Sequence, residues 1–172
     1  MVRGQSGFSL IELMTVLVIG GILLAVAIPS WTTSVKNNCL TTDTNSLVSG
    51  LQYARSEAAT LRQSVYVTAS NSTDANNEWG KGWTVWYDKN SNGAMDSGEQ
   101  LRVVQLACTA TTMNQTSSGS AQIVYRPTGF LPETTTNDVK IDVCDDRTGE
   151  TGREITISIT GRPSVNSSFV CS

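Results

Sequence analysis

Histidine is absent from this 172-residue chain. That removes both the commonest general base and the commonest transition-metal ligand. No two cysteines form a C-x-x-C pair, which weakens zinc and thioredoxin-like redox readings. Ser, Asp and Glu are plentiful, but no recognisable nucleophile motif stands among them, so a hydrolase reading fails. Basic residues are outnumbered, 12 Lys and Arg against 15 Asp and Glu, for a formal net charge of −3. An acidic balance lacks the footprint that nucleic-acid binding usually leaves. Hydrophobic residues make up 39% of the chain, below a typical globular protein. Many of them fall in one N-terminal run, so the remainder can support one domain with a modest core.

That run is Phe8 to Ile28, 21 residues interrupted only by Ser9, Glu12 and Thr15. A helix of this length, at about 1.5 Å per residue, crosses a hydrocarbon core of about 30 Å. A secretory signal peptide is one reading: Arg3 supplies a basic start, Leu10 to Leu24 an apolar region, and Ala25-Val26-Ala27 a cleavage site. An ordinary membrane anchor is another. Glu12 opposes both, because a carboxylate inside a spanning helix costs on the order of 2.5–3.5 kcal/mol and is kept by default for function.

A third reading makes Glu12 the point of the segment. Gly7-Phe8-Ser9-Leu10-Ile11-Glu12-Leu13 resembles the class III leader of type IV pilins and type II secretion pseudopilins. The resemblance implies a leader over residues 1–7, cleavage between Gly7 and Phe8 by a prepilin peptidase, and N-methylation of Phe8. The apolar run, closed by Pro29, is then retained as a transmembrane and assembly helix over 8–29. Losing Arg3 with the leader leaves 11 basic against 15 acidic side chains. Glu12 would pair with the Phe8 amine of an adjacent subunit, setting register as helices pack, so its loss should harm assembly more than folding.

Pro29 removes one helical hydrogen bond and is expected to kink the helix. Beyond it Leu47, Leu51, Ala54, Ala58 and Leu61 recur at steps of four and three, opposite Ser49, Gln52, Arg55, Ser56 and Arg62. This predicts an amphipathic continuation over 30–63 whose stripe packs on a sheet. Leu51-Gln52-Tyr53-Ala54-Arg55-Ser56-Glu57-Ala58 resembles the helix signature of the GspH/FimT family of minor pilins and pseudopilins. With the leader and the turn described below, that similarity covers roughly the first 105 residues.

Residues 64–172 turn to Val, Thr, Tyr and Trp punctuated by Gly, Asn, Ser and Pro, and read as a β domain. Strands are expected at Ser64–Ala69, Gly82–Tyr87, Gln100–Leu106, Gln122–Tyr125, Val139–Val143 and Glu154–Ile159, the last with Ile155, Ile157 and Ile159 inward. Thr109 to Ser120 is polar and reads as an exposed, mobile loop. The expected architecture is α+β and pilin-like, a long N-terminal helix packed on antiparallel sheet.

Residues 88–99 fit D-x-[DN]-x-[DN]-G-x5-E, the spacing of a calcium-binding loop. Asp88, Asn90, Asn92, Asp96 and Glu99 would be its oxygen ligands, with Gly93 at the sharp turn. Strands rather than helices flank it, and the same residues make an ordinary hairpin turn for backbone reasons. The GspH/FimT resemblance favours that turn, through Trp83, Asp88, Asn90, Asn92 and Gly93, and no cofactor is otherwise expected. Trp79, Trp83 and Trp86 cluster nearby as core packing or as a stacking platform for bases or sugars.

The four cysteines, Cys39, Cys108, Cys144 and Cys171, are even in number and widely spaced in a chain bound for export, which suggests disulfides over buried free thiols. Three pairings are possible. Cys39 with Cys108 would tie the helix to the body, and Cys144 with Cys171 would tie down the C-terminal tail.

Within the resembled family, minor pilins prime type IV pilus assembly, similar pseudopilins serve type II protein secretion, and a third group binds DNA through a Gly-Arg-x-Arg element. Here Gly161-Arg162-Pro163-Ser164 lacks the second arginine. Arg147 and Arg153 are interleaved with Asp145, Asp146, Glu150 and Glu154, which offsets attraction to phosphate. The implied partners are the prepilin peptidase, other pilins and the inner membrane, with the C-terminal domain in the periplasm; DNA is the weaker option.

Overall fold

The computed structural model describes residues 7–74, 77–106, 108–117, 121–147, 149 and 151–171. The expected leader residues 1–6, with Arg3, and Glu150 lie outside the described residues, as does the side chain of Val26. One helix and eight strands follow: α1 (Leu10–Leu61), β1 (Val65–Ala69), β2 (Trp83–Tyr87), β3 (Gln100–Val104), β4 (Thr112–Gln115), β5 (Gln122–Tyr125), β6 (Val139–Cys144), β7 (Arg153–Ile157) and β8 (Pro163–Asn166). The chain divides into two units, Met1–Asn37 and Asn38–Ser172.

The first unit is the N-terminal part of α1, which continues unbroken through Pro29. Among the described residues, its large apolar side chains are exposed. Leu10, Leu17 and Leu24, a heptad apart, are all at least 60% exposed.

The second unit is α+β. Leu40, Leu47, Leu51, Ala54 and Ala58 are buried along one face of α1 and share a core with Val65, Val67, Val85, Tyr125, Ile141, Val143, Ile155 and Ile157. Leu61, the last residue of the predicted stripe, is 37% exposed because the helix ends there. Two four-stranded antiparallel sheets form the body, in the orders β3-β2-β1-β5 and β4-β6-β7-β8. Strand β1 alternates buried and half-buried residues along Val65–Ala69, as one covered sheet face requires. In β2 the register shifts between Val85 and Trp86. That irregularity is why consecutive side chains there are both buried.

Three expectations fail. The segment from Thr109 holds strand β4, paired with β6 from Thr112↔Cys144 to Gln115↔Ile141, and Met113 is fully buried. Its single apolar residue gives too little local pattern to reveal a strand whose partners are distant. Ile159 is 49% exposed, since β7 stops at Ile157 and the chain turns through Gly161 at φ 75°. Strand β8 was not anticipated; it opens with Pro163 at a sheet edge, where a missing donor is tolerated.

Candidate processing and assembly site

Gly7, Phe8 and Ser9 precede the first helical residue, Leu10. The Glu12 backbone N–H donates to Ser9 Oγ at 3.2 Å and to Ser9 O at 3.1 Å, and the Leu13 N–H donates to Ser9 O at 3.2 Å. Ser9 is thus the N-cap of α1, and Ser9-Leu10-Ile11-Glu12 is the Ser-x-x-Glu pattern of a capping box. That pattern is readable in the sequence, but the charge of Glu12 drew attention away from it. Among the described residues, a Cβ built on Gly7 meets nothing within 4 Å. Nothing described in the fold requires a glycine there. Phe8 is 84% exposed.

The hydroxyls in and after the run are satisfied by the helix itself. Thr15 donates to Glu12 O at 2.9 Å, and Thr32 and Thr33 donate to Pro29 O at 2.9 and 3.1 Å. Such pairing is what a hydroxyl needs in an apolar medium. Among the described residues no hydrogen bond or ion pair reaches the Glu12 carboxylate.

The 88–99 loop connects β2 to β3 and spends its oxygens on its own N–H groups. Asp88 accepts from the backbone of Asn92 (3.1 Å) and Gly93 (2.8 Å). Asn90 and Asn92 side-chain amides both donate to Asp96, at 2.8 and 2.7 Å, and hold its carboxyl below the usual range. Glu99 is buried and accepts from the Lys89 and Asp96 backbones at 3.0 and 2.9 Å. Gly93 takes a φ of 76°. The loop is a hydrogen-bonded turn, and among the described residues no group of three or more His, Cys, Asp or Glu is arranged to hold a metal.

The tryptophans do not form a platform. Trp79 and Trp83 are fully buried; Trp86, 3% exposed, stacks on Tyr66 at 4.4 Å and donates to Thr68 Oγ1 at 2.9 Å. The candidate DNA-contacting arginines are differently employed. Arg147 forms a bridge of 2.6 Å with Asp145, and Arg153 donates to Gly152 O at 2.9 Å. Arg162 is exposed on the β7–β8 turn. Gly161 of the same turn is closed in: a side chain there would run into Gly129 O and Tyr125. The glycine of the Gly-Arg element is therefore needed by the turn itself.

Cys39 joins Cys108 and Cys144 joins Cys171, each with Cα atoms 5.9 Å apart. One turn beyond Cys39, Asp43 is 2% exposed; burial raises its carboxyl pKa, and the Thr111 hydroxyl offsets part of that rise.

Residues 43–161 match the family described as type II transport protein GspH, and residues 2–28 match the prokaryotic N-terminal methylation motif. A search of curated proteins returned no match. Two crystal forms of the Pseudomonas aeruginosa type IV minor pilin FimU are similar in structure. The first has a TM-score of 0.60 at 26% identity, covering 77% of this chain and 92% of that one. The second has a TM-score of 0.57 at 24% identity, covering 74% and 93%, and bears on the fold alone.

Proposed function

Because the chain belongs to the GspH family, we propose that it is a minor pilin, a structural subunit that helps initiate or cap a type IV pilus-type filament. The observation that carries this reading is the joining of a methylation-motif helix, apolar and uncovered on all sides, to a pilin β body. A prepilin peptidase cleaves between Gly7 and Phe8 and methylates the new amine. Residues 8–29 then hold the protein in the inner membrane as a single span, and 64–172 stand in the periplasm on the amphipathic helix 30–63. A helix whose apolar side chains face outward all round must be covered by lipid before assembly and by other pilins after it. Glu12 pairs with the Phe8 amine of a neighbour, which removes the cost of a lone carboxylate in that setting.

A second reading, a minor pseudopilin of type II secretion, draws on the family's own description. A deletion strain separates the two: loss of twitching with normal exoprotein release supports the pilus, and the reverse supports secretion. Loss of neither would overturn both. DNA uptake scored in the same strain tests the third role, which the Asp145 pairing of Arg147 disfavours.

A further inference from the structure

We propose that Ser9 is a positioning residue for leader removal: its N-cap stops α1 short of the Gly7–Phe8 bond and keeps that bond in non-helical, exposed backbone. The inference rests on the processing reading above and deepens it. Hydrolysis adds water across the Gly7 C–Phe8 N bond, leaving a carboxylate on Gly7 and an amine on Phe8. A peptidase must reach that carbonyl, and a helix that took in Gly7 would engage it in an i to i−4 bond. Extended segments leave such groups free for pairing with a binding partner.

After the bond, α1 runs without a break from Leu10 through Ala27. Something must stop the helix at its upstream end. Ser9 does so through its side chain, whose Oγ accepts from the Glu12 N–H at 3.2 Å. The result is a junction whose residues 7 and 8 are non-helical and exposed, the two positions just before the cap. Glu12 at the third helical position favours the same boundary through a negative charge near the positive end of the helix dipole. Alanine at position 9 would lack the acceptor and favour helix, so the helix could grow into residues 7 and 8. Helix over the scissile bond lowers the fraction of precursor presented for cleavage.

The experiment follows the initial rate of leader release from full-length precursor in membranes with prepilin peptidase, at subsaturating precursor. Ser9→Ala should slow release on the order of 3- to 10-fold, the equilibrium worth of a lost cap. Ser9→Asn and Ser9→Thr, which also cap, should stay within about twofold of the parent. Release of Ser9→Ala at the parent rate would overturn the inference. So would Ser9→Asn as slow as Ser9→Ala, since the peptidase would then be reading the serine itself. Gly7→Val tests the underlying reading separately: if it too is processed normally, the cleavage assignment falls and this inference with it.

Discussion

The indole of Trp83 lies against the α1 backbone at Gly50, so closely that a Cβ on Gly50 would stand 2.6 Å from Trp83 Nε1. Both residues are buried. Alanine normally improves a helix interior over glycine by about 1 kcal/mol. Here the ring is fully enclosed, and overpacking of this kind costs about 1–3 kcal/mol. Gly50→Ala should therefore lower stability by about 1 kcal/mol net, read as an earlier urea midpoint at unchanged slope. A later midpoint would mean the indole can retreat.

The opposite sign is expected where α1 ends. Arg62 follows the last helical residue at φ 56°, a left-handed conformation more usually given to glycine at this place. A side chain in that region costs roughly 1–2 kcal/mol. Arg62→Gly should recover about 1 kcal/mol after its own entropic cost, seen as a later urea midpoint.

Burial raises the Asp43 carboxyl, and the Thr111 hydroxyl only partly offsets this. As pH rises past the unfolded-state value, near ~3.9, the unfolded chain releases this proton while the folded chain still holds it. The folded state therefore loses stability through that window, and the loss is complete above the raised folded value. Asp43→Asn removes the titration. The variant should be more stable than the parent at pH 7, with the gap closing toward pH 3, in urea melts at both ends of the range. A less stable variant at pH 7 would show that the charge has a partner worth more than its desolvation.

Arg55 reaches from the helix to two turns of the body, donating from Nε to Gly129 O at 3.0 Å and from Nη2 to Thr160 O at 3.2 Å. The guanidinium fork meets both carbonyls at once, whereas a lysine presents a single charged point. Arg55→Lys should cost about 1–2 kcal/mol, the scale of one charge-assisted bond, by the same melts.

Much of this was legible in the chain because local and long-range demands agree. Leu47, Leu51, Ala54 and Ala58 repeat at helical spacing and are buried, and Val65 and Val67 alternate as they pack. What escaped was set by distant partners. Met113 looks like one apolar residue in a polar stretch, yet its N–H donates to Asn77 Oδ1 and its carbonyl accepts from Trp79 N. No window around residue 113 contains that information. Gly50 sits amid a helical stripe with nothing to announce the ring against it. Ile159 fits the alternation of β7 but falls after the turn has begun. At the candidate site, Glu12 stood out by charge, whereas Ser9 required attention to the backbone donor that it satisfies.

Cys39 is the second residue of the β-bearing unit, and its partner Cys108 lies 69 positions later. If the chain is held by its N-terminal helix, tension enters this unit beside a covalent bond before it reaches most of the non-covalent packing. The strands between the two cysteines are then shielded from extension even if their hydrogen bonds rupture. Pulled from helix and C-terminus in an optical trap, the oxidised protein should lengthen by roughly 240 Å less than the Cys39→Ser, Cys108→Ser variant, the reach of the closed loop at about 3.5 Å per residue. Equal extensions would remove the bridge from the load path. A subunit built this way behaves as a tether with a built-in stop.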